Sequence, residues 1–145
     1  MYAKKIKYTD YDGNEREEIF YFNLSASELT LMELSETGGL KQKLEAIIMK
    51  QDVPKIIEAF TDAIHRAYGE KSADGKRFIK SEELVTAFEQ TPAYDELFLE
   101  LCYNSKSAAE FVNRVLPSDL EQKIKRASGK TAANAAAPVL APLTN

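Results

Sequence analysis

Cysteine is nearly absent from this 145-residue chain. Cys102 stands alone, so no intramolecular disulfide can staple the fold. Tryptophan is missing, and His65 is the only histidine. One histidine and one cysteine cannot supply the ligand sets of structural zinc sites. No apolar run is long enough to span a bilayer, and no apolar leader opens the chain; the expected compartment is the cytosol. Basic charge is not in excess either. There are 19 Lys and Arg against 23 Asp and Glu, for a net charge of −4. No Lys/Arg run is interleaved with aromatics, so neither nucleic acid nor membrane is an expected partner. The chain also lacks a phosphate-cradling glycine loop and a nucleophile elbow. No catalytic residue, cofactor or metal site is expected from these absences.

What is present is enough apolar material for one core: 44% of residues are hydrophobic and 29% charged, the balance of a soluble domain. Tyr2 to Thr9 alternates, with Tyr2, Ile6 and Tyr8 on one face and Lys5, Lys7 and Thr9 on the other, the period of a half-buried strand. Lys4 is the exception on the apolar face. Asp10 to Asn14 is turn chemistry. Glu15 to Leu24 forms a second arm, and its Glu15, Glu17 and Glu18 are expected to oppose the lysines of the first. This arm is apolar on both sides. Phe20, Phe22 and Leu24 point one way, and Ile19 and Tyr21 point the other. An isolated hairpin is marginal in water, so one face is expected on the helices that follow. The other needs more protein, a second subunit or a partner.

Helical spacing then dominates to about residue 128. Ser25 with Glu28 is a capping box for a helix over about 26–36, stopped by Gly38-Gly39. Leu40, Leu44, Ile47 and Ile48 mark a second helix. Asp52 caps a third, with Pro54 in its first turn. Its stripe is Val53, Ile56, Ile57, Phe60 and Ile64, and Gly69 is a plausible stop. Residues 70–77 read as a polar loop with an Asp74-Gly75 turn. Ser81 caps a short helix, and Thr91-Pro92 opens the next, whose face is Tyr94, Leu97, Phe98, Leu101 and Cys102. Ser107 with Glu110 reads as a second box. Pro117 breaks that helix, and Ser118 with Glu121 begins a last one carrying Leu120, Ile124 and Ala127. The fold class is thus mainly α (α+β): a compact multi-helix domain over 1–129, with its hairpin at about 2–24 and helices at about 26–128. Residues 130–145 carry no charged side chain beyond Lys130 and no amphipathic period, and read as a flexible Ala/Pro-rich tail.

Chemistry is sparse. His65 sits at the edge of the third stripe and reads as a surface or boundary residue. Cys102 shares the stripe of Phe98 and Leu101 and reads as a small apolar residue. The Asp74-Gly75 loop between helices has the outline of a calcium loop, but its ligands do not fit. With Gly75 at the glycine position, Ser81 falls where the bidentate glutamate belongs. Four apolar residues fall off the core faces: Ile19 and Tyr21 on the hairpin, and Leu99 and Tyr103 on the fifth helix. They are either a second core layer or a partner-binding surface, and both readings stay open here.

The stretches Lys5-Ile6-Lys7-Tyr8-Thr9-Asp10-Tyr11-Asp12-Gly13 and Glu17-Glu18-Ile19-Phe20-Tyr21-Phe22-Asn23-Leu24 carry a resemblance. So do Met32-Glu33-Leu34 with Gly38-Gly39-Leu40, and Ala67-Tyr68-Gly69-Glu70-Lys71-Ser72. Further along come Arg77-Phe78-Ile79-Lys80-Ser81, Glu110-Phe111 and Leu116-Pro117. In this order and spacing the chain resembles the tail assembly chaperones of long-tailed bacteriophages and prophages, from Lys5 to Pro117. The resemblance implies a non-enzymatic helper in the host cytoplasm. It would bind the tape measure protein and keep it soluble while tail tube subunits polymerise around it, and it would be absent from the mature virion. It also implies a longer form, made by ribosomal frameshifting, that recruits tail tube protein. Gly129-Lys130 codons are a candidate slippery run. Self-association is a further expectation. A structural or scaffolding module of the tail is the alternative role.

Overall fold

The computed structural model describes residues 1–35 and 40–116, and for 33–35 and 40–42 the backbone alone. The expected α+β architecture is observed, with six helices and four strands among the described residues. Strand β1 (Tyr2–Thr9) pairs antiparallel with β2 (Glu15–Phe22) at every position, from Tyr2↔Phe22 to Thr9↔Glu15. Asp10 builds the turn. Its carboxylate accepts the amides of Asp12 and Asn14 at 3.0 and 2.9 Å and the Arg16 Nε at 2.5 Å. Arg16, and next the Asn14 amide, hold this carboxyl below its ordinary range. Gly13 takes φ +84, a conformation that costs glycine little.

The cross-strand charges are arranged more narrowly than the sequence suggests. Lys5 and Lys7 both reach Glu17, at 3.1 and 3.5 Å, while Glu15 faces Thr9 and Glu18 faces Ile6. Lys4, out of pattern on the apolar face, turns to Glu100 at 2.8 Å. Burial alone would lower its pKa, but the Glu100 carboxylate outweighs this and raises it.

Helix α1 (Ala26–Ser35) starts at the expected capping box: the Glu28 amide donates to Ser25 Oγ at 3.2 Å and the Ser25 amide to Glu28 Oε1 at 3.0 Å. Helix α2 (Leu40–Lys50) is followed by α3 (Val53–Ala67), capped by Asp52. Ile56, Phe60 and Ile64 of the α3 stripe are buried, whereas Val53 and Ile57 lie exposed at its margin. The chain then departs from expectation. Tyr68–Lys71 forms β3 and Phe78–Ile79 forms β4, a second hairpin where a polar loop was expected. The helix does stop before Gly69, but Gly69 is no helix cap. It lies in β3 opposite Tyr21, where there is no room for a side chain: a Cβ there would meet the Phe78 ring at 2.6 Å and the Ile79 carbonyl oxygen at 2.7 Å.

Helix α4 (Glu82–Glu89) is capped by Ser81 and α5 (Pro92–Tyr103) by Thr91, both as expected. Helix α6 (Ser105–Val115) is not capped by Ser107. Asn104 does this instead, accepting the Ser107 amide at 3.1 Å, and Glu110 pairs with Arg114 one turn on. Asparagine caps as well as serine, and the earlier residue won. The Gly38-Gly39 stop, the Pro117 break, the Ser118 box, the last helix and the 130–145 tail all lie outside the described residues.

The four strands form one antiparallel sheet in the order β1-β2-β3-β4. Its inner face is covered by α4 and α6 through aromatic contacts and by α5 along β1. Phe22 is fully buried at the centre, with ring centroids of Tyr2, Tyr68, Phe88 and Phe111 within 6.1 Å. Phe88 stacks on Tyr68 at 4.3 Å, and Phe60 of α3 meets Phe111 at 5.8 Å. Aromatic pairs of this kind add about 0.5–1.5 kcal/mol each beyond the area they bury. One cluster therefore binds sheet to helices.

Candidate functional site

The four off-core residues are all solvent-accessible. Ile19 is 50%, Leu99 54% and Tyr103 69% exposed, and Tyr21 is half-buried. They do not make one patch. Leu99 and Tyr103 follow from the α5 register, one turn apart on the side away from Leu97 and Leu101, which are buried. Ile19 and Tyr21 follow from strand alternation and sit on the outer face of the sheet. Helix α5 packs against the opposite, inner face, as the Lys4–Glu100 pair shows.

The outer face is more built than the sequence indicates. Tyr21 lies opposite Gly69, and the Lys71 ammonium stands 4.5 Å over the Tyr21 ring. Phe78 fills the space that Gly69 leaves, and Lys80 stands 5.8 Å from the Phe78 centroid. Tyr21 and Phe78 thus flank a glycine and each carries a lysine. Lys80 is also a structural node. Its ammonium donates to Glu28 Oε2 at 2.7 Å and to the Arg66 carbonyl at 2.9 Å, tying the start of α1 and the end of α3 to the second hairpin. Burial would raise the Glu28 pKa, but the Lys80 bond and the Ser25 amide overcome this and lower it.

Between the hairpins lies an open cleft of about 680 Å3, with residues 18–21 on one wall and 70–75 on the other. Sequence reading missed it because it depends on the second hairpin. The signal was available: Asp74-Gly75 repeats the turn chemistry of Asp12-Gly13, followed by the apolar Phe78-Ile79 pair.

The titratable groups stand in structural surroundings. His65 lies between two carboxylates of α4, with Glu82 3.2 Å from Nε2 and Glu89 3.4 Å from Nδ1. The Glu82 bond chiefly raises its pKa. Cys102 is buried, and burial pushes its thiol up. A raised pKa means less thiolate, hence less reactivity. Ser72 and Asp74 are committed to their own turn, where the Ser72 hydroxyl bonds Asp74 at 2.7 Å and Asp74 accepts the Lys76 amide at 3.0 Å. No cluster of three or more potential metal ligands occurs among the described residues, and no helix among them is long and apolar enough to cross a membrane.

A family model for phage tail assembly chaperones matches residues 1–145. The chain belongs to that family. The match takes in residues 118–145, beyond the reach of the motifs quoted above. No curated protein and no solved structure matched the chain. This tail assembly chaperone exposes apolar groups on two sides and carries a strand-walled cleft.

Proposed function

We propose that this chaperone binds the phage tape measure protein in the host cytoplasm and keeps it soluble. Tail tube subunits polymerise around that protein while it is held, and the chaperone is absent from the mature virion. The role needs no catalytic group and no cofactor. The observation that carries the reading is the family match across residues 1–145. Two features support it. Leu99 and Tyr103 expose apolar surface on a helix, suited to an amphipathic helical client. Ile19 and Tyr21 expose a second such surface on the sheet. Exposed apolar groups that cluster mark interaction sites. A longer product made by frameshifting at the Gly129-Lys130 codons would add a segment that recruits tail tube protein.

The test is co-expression with the large coiled-coil-rich protein that the family resemblance predicts just downstream of its gene. The soluble fraction of that partner should rise and the two should co-purify. Alanine at Ile19, Tyr21, Leu99 and Tyr103 together should reduce both. No rise with either the short or the longer form would sink the reading. Finding the protein in purified virions would favour a structural tail component instead.

A further inference from the structure

We propose that the cleft between the two hairpins receives a single extended segment of a protein partner, alternating apolar residues with lysine or arginine, which pairs with β2 as an added strand. The inference rests on the chaperone reading and names how one stretch of client would be held.

Strand β2 uses its two edges unequally. All eight residues pair with β1, but only Tyr21 and Phe22 pair with β3. From Glu15 to Phe20 the β3-side edge carries no strand partner among the described residues. Unpaired strand edges are templates for another chain. Strand β3 turns away after Gly69, and Glu70 and Lys71 pair on their far side with Ile79 and Phe78. Two backbones thus diverge from the Tyr21–Gly69 contact and enclose the 680 Å3 cleft.

A strand pairs at about 4.8 Å from its neighbour, and the cleft has β2 on one side and residues 70–75 on the other. Strand β1 of a second copy also carries lysines, but they are engaged within its own chain, Lys4 with Glu100 and Lys5 and Lys7 with Glu17. Charge decides the sequence. Glu18, Glu70 and Asp74 line the walls, with Lys71 the one cation among the lining residues, and its ammonium rests on Tyr21. An acidic cleft selects a cationic segment, and Ile19 and Tyr21 offer apolar contact to the residues between.

The test uses the full chain and a fluorescein-labelled peptide alternating valine with lysine, read by anisotropy. Saturable binding should appear and weaken with salt. The same peptide with glutamate for lysine, or N-methylated along one edge, should bind at least tenfold more weakly. The Glu18→Lys/Glu70→Lys variant should show the same loss. Both residues are exposed, so circular dichroism should show an unchanged fold; Glu70→Lys alone serves if the pair perturbs it. Equal binding by the N-methylated peptide, or by the charge-reversed chain, would overturn the proposal. So would self-association that the double variant abolishes in the absence of peptide binding, which would assign the cleft to a second copy. Loss of the cleft proposal leaves co-expression solubility unchanged, whereas failure of the chaperone reading abolishes it.

Discussion

The first hairpin pairs eight residues with eight, while the second pairs two with two. Their turns nevertheless use the same chemistry. Each has an aspartate, Asp10 or Asp74, accepting the backbone amide two residues on, at 3.0 Å in both cases, and followed by a glycine at positive φ: Gly13 at +84 and Gly75 at +74. The difference lies in what holds the arms. The first hairpin lays Tyr2, Ile6, Phe20 and Phe22 onto the helices. The second is secured by a two-residue seam to β2, by Phe78 across Gly69, and by Lys80. A turn sequence starts a hairpin, but its persistence depends on the surface its arms can bury.

The largest effect is expected at the shared anchor. Phe22→Ala removes the ring on which Tyr2, Tyr68, Phe88 and Phe111 converge, and should cost about 3–5 kcal/mol. Urea unfolding should show both hairpins lost together. Gly69→Ala separates the two. Its Cβ would strike the Phe78 ring and the Ile79 carbonyl, an overpacking cost of about 1–3 kcal/mol. Hydrogen exchange should speed up at residues 68–79 and stay unchanged at 2–22. Equal acceleration in both would show that the hairpins form one cooperative unit.

Glu28→Ala removes half of the capping box and the Lys80 partner at once, for about 1–2 kcal/mol. Exchange should rise at the start of α1 and at β4, with the first hairpin unaffected. The smallest effect concerns His65. Its pKa is raised in the folded protein above the ordinary 6.5, chiefly by Glu82. The stability it adds is therefore full below about pH 6.5 and disappears as pH rises through the raised value. His65→Ala should lower stability more at pH 5.5 than at pH 8.5, by under about 1 kcal/mol because the group is partly exposed and screened. Thermal melts at the two pH values would measure the difference. Equal losses would show that the carboxylates do not hold the ring.

Legibility in the sequence followed the length of each signal. The eight-residue alternation of β1 placed both of its ends correctly, and Ser25, Asp52, Ser81 and Thr91 marked four helix starts, because a cap is a local bond between near neighbours. Where two caps competed, at Asn104 and Ser107, the pattern Ser-x-x-Glu misled. Strands of four and two residues are too short to show a period, so residues 70–77 read as a loop and the cleft was invisible. The exposure of Ile19, Leu99 and Tyr103 was readable from register, since each falls off a strong stripe. Their separation onto opposite sides was not, because it depends on which sheet face receives α5.

By itself the sequence determined the absence of a disulfide framework, the first hairpin, the positions of most helices and the residues that stay out of the core. Each of these follows from composition or from interactions among residues a few positions apart. Only the tertiary structure decided that Tyr68–Lys71 is a strand, that Gly69 is needed for the ring of Phe78, that Lys80 joins Glu28 across 52 positions, and that two hairpins leave a cleft between them. These depend on contacts between distant segments, which exist only once the aromatic cluster around Phe22 has brought sheet and helices together.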